Sequence, residues 1–146
     1  MNLKDFKLNL QKVKDSNEKF TFSLWDKAGK ETFEQVEKAL GISISDKTKE
    51  FYRFHNGFKT HQPDFELLRL ENWSILENDK IHFATFDKDL KVYFDTKELN
   101  QADSWSIINP QDNYVLTLTM SSFWSNKIWH WLKTERQIWK DEFWKE

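Results

Sequence analysis

Four histidines are the side chains best suited to proton transfer or metal binding in this chain, and their spacing supports neither. His55, His61, His82 and His130 show none of the paired spacings by which two imidazoles share a zinc ion. His61 and Asp64, three residues apart, could supply two ligands of a metal site but leave its shell incomplete. His82 lies in a β-forming run and reads as a hydrogen-bonded sheet histidine rather than a base. His130 falls on the polar side of a helix. His55-Asn56-Gly57 superficially resembles a nuclease motif, yet a cation followed by Asn-Gly is also how a helix C-terminus is built. Ser121-Ser122 has no histidine or lysine partner close in sequence and reads as a helix cap. Gly29, Gly41 and Gly57 lie too far apart for a phosphate-cradling loop. With no cysteine, thiolate chemistry, disulfides and cysteine-based zinc sites are excluded. Carboxylates are numerous, but no pair of them is singled out by spacing as a hydrolytic pair.

Composition narrows the class further. Across 146 residues, 22 basic side chains oppose 24 acidic ones, a balance unlike that of a polycation built to grip nucleic acid. Mean hydropathy is low at -0.80, but 8 Trp, 13 Phe and 3 Tyr can build a large core from few residues. Neither a signal-peptide-like apolar run near the N-terminus nor a bilayer-length apolar stretch is visible, so a cytoplasmic location is the expectation. Between His61 and Asp103 ten acidic residues face five basic ones, which reads as a solvated rim or as an acidic surface that steers a basic partner.

The elements that must position these groups follow from periodicity. Leu3, Phe6, Leu10 and Val13 form the apolar stripe of a first helix, which Asp15-Ser16-Asn17 ends. Phe20 to Leu24 alternates like a short strand. Phe33, Val36 and Leu40 mark a second helix closed by Gly41, and Ser45 or Asp46 caps a third that carries Phe51, Tyr52 and Phe54 and stops at Asn56-Gly57. After Pro63 come six short β-rich runs, 65–70, 73–76, 81–86, 91–94, 105–108 and 114–118, with a hairpin expected across Asp87-Lys88-Asp89. A last helix, capped by Ser121 or Ser122, places Trp124, Ile128, Trp131, Leu132, Ile138, Trp139 and Phe143 on one arc. Trp129 and Trp144 fall off that arc and are candidates for an exposed role. The expected fold class is α+β: a single domain over 1–146, with a twisted, mainly antiparallel β-sheet, N-terminal helices and a C-terminal amphipathic helix.

From Glu34 onward the chain resembles the SUKH superfamily, which includes a fungal cell-wall-synthesis regulator and many bacterial toxin-immunity proteins. Glu34 to Ile42 is similar to the family's E-x-x-E-x-x-L-G-I helix end, and Lys49 to Gly57 to its next helix and NG turn. Ile81-His82-Phe83-Ala84 resembles its I-x-F-A strand, Val92-Tyr93-Phe94-Asp95 the partner strand, and Ser121-Ser122-Phe123 the opening of the final helix. The ordered set covers roughly 25–146. Ser45 stands where members usually carry proline, and Phe58 follows the NG turn where a small residue is usual.

The resemblance implies a non-enzymatic binding protein: no catalytic residues, metal or cofactor, and no direct contact with nucleic acid or membrane. Its expected partner is a cognate toxin, a basic nuclease being one form, neutralised by occlusion in the cytoplasm. The contact residues expected on that reading are Asp64, Glu66, Glu77, Asp79, Asp87 and Asp89, with Trp73 and Trp105 as aromatic anchors or as core. The alternatives are a regulatory scaffold for cell-wall or signalling enzymes, and a carbohydrate-binding module that uses surface tryptophans.

Overall fold

The computed structural model describes residues 3–76, 79–88, 90–109 and 113–134. A 3-10 turn, Leu3–Asp5, runs into helix α1, Phe6–Ser16, which buries Phe6, Leu10 and Val13 at the expected spacing. Strand β1, Thr21–Leu24, follows. Helix α2, Lys30–Leu40, buries Phe33 and Val36 and ends where Gly41 turns left-handed at φ 67°, its N–H bonded to the Glu37 carbonyl. Helix α3, Asp46–Tyr52, is capped by Ser45, whose hydroxyl accepts from the Thr48 N–H. Glu37 joins the two helices: its carboxylate accepts from the Ile44 N–H at 2.8 Å and pairs with Lys49 at 3.6 Å.

The described residues form one eight-stranded sheet in which each of these pairings is antiparallel. After β1 come β2 (Phe58–His61), β3 (Phe65–Leu67), β4 (Ser74–Leu76), β5 (Lys80–Phe86), β6 (Leu90–Asp95), β7 (Ser106–Asn109) and β8 (Tyr114–Thr117). The order is β1-β2-β3-β5-β6-β7-β8, and β4 extends the sheet beside β5. The α+β class and the antiparallel sheet are as the sequence implies. Strand β2 is additional to that reading, and β3 is shorter than expected because Leu70–Asn72 winds into a 3-10 turn. Asp87 and Lys88, at φ 52° and 70°, close the expected β5–β6 hairpin.

A bulge between His82 and Ala84 sets the middle of the sheet. Phe83 and Ala84 are both fully buried, and Phe83 stacks on Phe94 of β6 at 3.7 Å with 8° between the rings. Phe58, Phe65, Phe86 and Phe94 pave this inner face. Helices α1 and α3 cover it through Phe6 on Phe58 and Phe51 on Phe58, with centroids 5.1 and 6.1 Å apart.

The C-terminal helix α4 runs continuously through Met120–Ser122, Phe123–Ile128 and Trp129–Thr134, the middle stretch being π-helical. Its cap is Thr119, whose hydroxyl accepts from the Ser122 N–H, and not Ser121 or Ser122 as the sequence suggested. The π stretch also corrects the reading of Trp129. On an ideal α-helix Trp124 and Trp129 lie about 140° apart. With i→i+5 bonding between them the turn takes more residues, and both rings reach Phe6, at 6.1 and 5.1 Å. Trp129 is therefore core, only 3% exposed, rather than a surface residue. Trp144, and with it Ile138, Trp139 and Phe143, lies outside the described residues. No described helix is long and apolar enough to cross a membrane.

Candidate binding face

The second face of the sheet carries the polar side chains. Antiparallel register aligns two rows across it. Ser23, Lys59, Glu66, Thr85 and Lys91 form one row, from β1 to β6. Ser74, His82, Tyr93, Ile108 and Val115 form the other, from β4 to β8. Because side chains alternate between faces, the residues between them turn inward to the aromatic core. This outer face is thus a by-product of the same alternation that builds the core.

At one end of the face the β2–β3 and β5–β6 turns lock together. The Asp64 carbonyl accepts from the Asp87 N–H at 2.9 Å and from the Trp131 indole at 2.9 Å, fixing the turns to each other and to α4. The Asp64 carboxylate holds His61 at 3.3 Å and Lys88 at 3.4 Å and accepts from the Gln62 N–H at 3.3 Å. Partial burial raises its pKa, but those donors outweigh it and hold the carboxyl below its ordinary value. Lys59, His61, Asp64, Glu66, Thr85 and Lys88 line a shallow cavity of about 280 Å³ here. His61 and Asp64 are an ion-pairing couple, and no group of three His, Asp or Glu side chains suited to a metal converges among the described residues.

The expected acidic contact residues therefore divide. Asp64, Glu66 and Asp87 share the turn end, where Lys59, Lys88 and Lys91 balance them. Asp79 sits at the opposite end of β5, in the turn before it, its carbonyl accepting from both the N–H and the hydroxyl of Thr96. Glu77 and Asp89 lie outside the described residues. The acidic bias of the sequence is not one continuous surface. Trp73 and Trp105 are core: Trp73 packs edge-on against Tyr52 and Phe94, Trp105 lies against Phe94, and both are nearly inaccessible. Neither ring is an exposed anchor.

Lys59, Lys88 and Lys91 were not singled out in the sequence. Cross-strand register was the missing signal, because β2 was not recognised and its Lys59 could not be placed opposite Glu66. In the middle of the face the His82 Nε2 lies 2.8 Å from the Thr85 hydroxyl and 3.0 Å from the Ala84 carbonyl. Burial, then the nearby Lys91 charge, lowers its pKa.

The histidine and NG turn at the end of α3 have a structural role. Asn56 is buried; its side-chain oxygen accepts from the Leu70 N–H at 2.9 Å and its amide donates to Glu71 at 2.7 Å. The Asn56 N–H bonds to the Asp26 carbonyl and the Trp25 N–H to that of Gly57. The turn thus ties the segment after β1 to the one after β3. His55 packs against Phe6 and Phe51, with Nδ1 3.3 Å from the Trp25 carbonyl, and burial lowers its pKa.

No curated protein matches this chain. A family model does, over residues 27–144, a span that takes in the Gly41 cap, the NG turn, strands β2 to β8 and α4. On that match the chain belongs to the SMI1 / KNR4 family (SUKH-1).

Proposed function

We propose that this SUKH-1 domain is an immunity protein that binds a cognate toxin in the cytoplasm and blocks it by occlusion, making and breaking no covalent bonds. The observation that carries this reading is the family match across residues 27–144, in a superfamily whose resemblance implies toxin immunity. The architecture fits the role. An aromatic core holds the sheet rigid, so binding needs little ordering of the domain and loses little free energy to it. The outer face presents charged and polar side chains on regular strands, which suits a preformed protein contact. The near balance of charge fits a protein partner better than direct contact with nucleic acid.

The test is co-expression with the toxin domain encoded beside this gene. Cells carrying both are expected to grow, and cells carrying the toxin alone to die. Equal killing in both would overturn the proposal. The second reading, a regulatory scaffold for cell-wall or signalling enzymes, is favoured by the SMI1 / KNR4 branch of the family. It predicts instead that deleting the gene disturbs the envelope with no toxin present.

A further inference from the structure

The sheet has a notch beside β4. Strands β3 and β4 lie end to end along β5: β3 pairs with residues 84–86 and β4 with residues 80–82. Between them the chain detours through the Leu70–Asn72 turn. On its other side β3 carries β2, but that pairing stops where Phe58 faces Leu67. Among the described residues β4 pairs with β5 alone, so a second row of its backbone N–H and C=O groups is left open.

The side chains of β4 match that opening. Ser74, Ile75 and Leu76 are all exposed, whereas β1 and β8, at the two ends of the strand order, each keep partly or fully buried side chains. Ile75 is the last member of an inner row that runs Ile107, Phe94, Ile81, Ile75 across β7, β6, β5 and β4. The first three are fully buried and Ile75 is 41% exposed, so this core row runs out to the sheet edge and ends in solvent. Leu76, on the outer face, is exposed as well. Edge strands ordinarily carry a lysine, a proline or a bulge that discourages further pairing. Ser74-Ile75-Leu76 has none of them.

Antiparallel pairing about Ile75 fits this strand to itself. With Ile75 on a two-fold axis perpendicular to the sheet, the Ile75 side chains of two copies oppose each other, and Ser74 of each faces Leu76 of the other. The row Ile107-Phe94-Ile81-Ile75 then meets the same row of the second copy, reversed, and the apolar line continues without a break. No like charges meet across the axis: Lys80 and His82, the ionisable members of the flanking rows on β5, stand one strand back in each copy. The net charge of -2 adds little repulsion. Whatever completes the row must offer an uncharged edge strand with an apolar residue opposite Ile75, and the chain itself supplies one in matching register.

We propose that β4 is a self-association edge, through which two copies of this chain join their sheets into one. The inference goes beyond the immunity reading and does not depend on it. Three residues pair on each side, so the dimer is weak and concentration-dependent. Because the axis is perpendicular to the sheet, both outer faces lie on the same side of the dimer. The dimer thus offers a partner two copies of the polar face side by side.

The experiment is sedimentation of the full chain from about 10 µM to about 1 mM, with a cross-linking arm. Wild type is expected to pass from monomer towards dimer mass over that range. Ile75→Lys, which sets two ammonium groups together on the axis, is expected to weaken dimerisation by about tenfold or more. Two double variants read the register. Ser74→Lys with Leu76→Glu forms two opposite-charge pairs across the axis and is expected to dimerise at least as tightly as wild type. Ser74→Lys with Leu76→Lys is expected to stay monomeric. The chain has no cysteine, so Ile75→Cys introduces one thiol per copy. Facing residues of an antiparallel pair stand about 4.5–5.5 Å apart at Cα, within disulfide reach. Mild oxidation is expected to link Ile75→Cys about tenfold faster than Leu8→Cys on the exposed side of α1. All of these side chains are exposed, so the fold is expected to survive each change. A wild type that stays monomeric throughout, a dimer indifferent to Ile75→Lys and to the charge pattern, or Ile75→Cys that links no faster than Leu8→Cys would each overturn the proposal. None of these outcomes bears on toxin neutralisation, so this inference and the immunity reading fail separately.

Discussion

Gly57 and Leu67 meet so closely that no other residue fits the NG turn: a Cβ on Gly57 would lie 2.5 Å from the Leu67 carbonyl oxygen. The backbone there is also left-handed, at φ 89°, which L side chains rarely adopt. Gly57→Ala is therefore expected to destabilise the fold by more than about 2 kcal/mol, through strain and displacement of β3. Gly41→Ala, left-handed at φ 67° but with open space around it, is expected to lose about 1 kcal/mol. Gly29→Ala, with neither constraint, should lie near neutral. Urea midpoints of the three variants check the order.

Asn56 supplies both an acceptor and a donor at one buried position, so its two substitutions separate. Asn56→Ala orphans the Leu70 N–H and is expected to lose about 1–3 kcal/mol. Asn56→Asp keeps that acceptor but replaces the donor to Glu71 with a second carboxylate. Its stability should therefore recover as pH falls and the two groups share a proton. Denaturant unfolding of both variants at pH 7.5 and 5 distinguishes them.

The aromatic hub joins the helices to the sheet. Phe6 is fully buried and touches Phe51, Phe58, Trp124 and Trp129, so it joins α1, α3, the sheet and α4. Phe6→Ala is expected to lose about 3–5 kcal/mol. Leu8→Ala on the exposed side of the same helix should lose less than about 0.5 kcal/mol. Calorimetric melting of the two variants is the check.

Stability should fall on mild acidification. Burial lowers the pKa of both His55 and His82, so the unfolded chain takes up protons that the native state resists. The contribution of these two histidines is then constant above neutral pH and declines as pH drops through the ordinary histidine value of about 6.5. His82→Gln, which keeps a polar group beside Thr85, should shallow that decline. Unfolding midpoints between pH 8 and 5 measure the slope.

Local chemistry made much of this fold readable. Gly41, Ser45 and the Asn56-Gly57 stop each mark a helix boundary through backbone preferences that need no tertiary information. Strand β2 escaped because Phe58 to His61 sits directly between two turn signals, Gly57 and Pro63, and so reads as part of a turn region. Trp129 was misplaced because the projection assumed 3.6 residues per turn, and the π stretch at 123–128 breaks that period. The helix cap fell to Thr119 because three hydroxyl residues within four positions compete for it. The candidate face was legible only in part: its acidic residues are visible in the sequence, but the lysines that balance them are set opposite by register alone. Trp73 and Trp105 illustrate the same limit, since residue type cannot tell an interface tryptophan from a core one.

The account stands on occlusion without chemistry, and one measurement addresses it most directly. The active toxin domain encoded beside the gene is assayed with increasing amounts of the purified protein, and both chains are then separated and weighed by intact mass spectrometry. The account predicts that activity is lost at a one-to-one ratio, that both masses are unchanged, and that the separated toxin regains full activity. Undiminished activity in the one-to-one mixture, or a toxin that emerges cleaved or covalently altered, would contradict it.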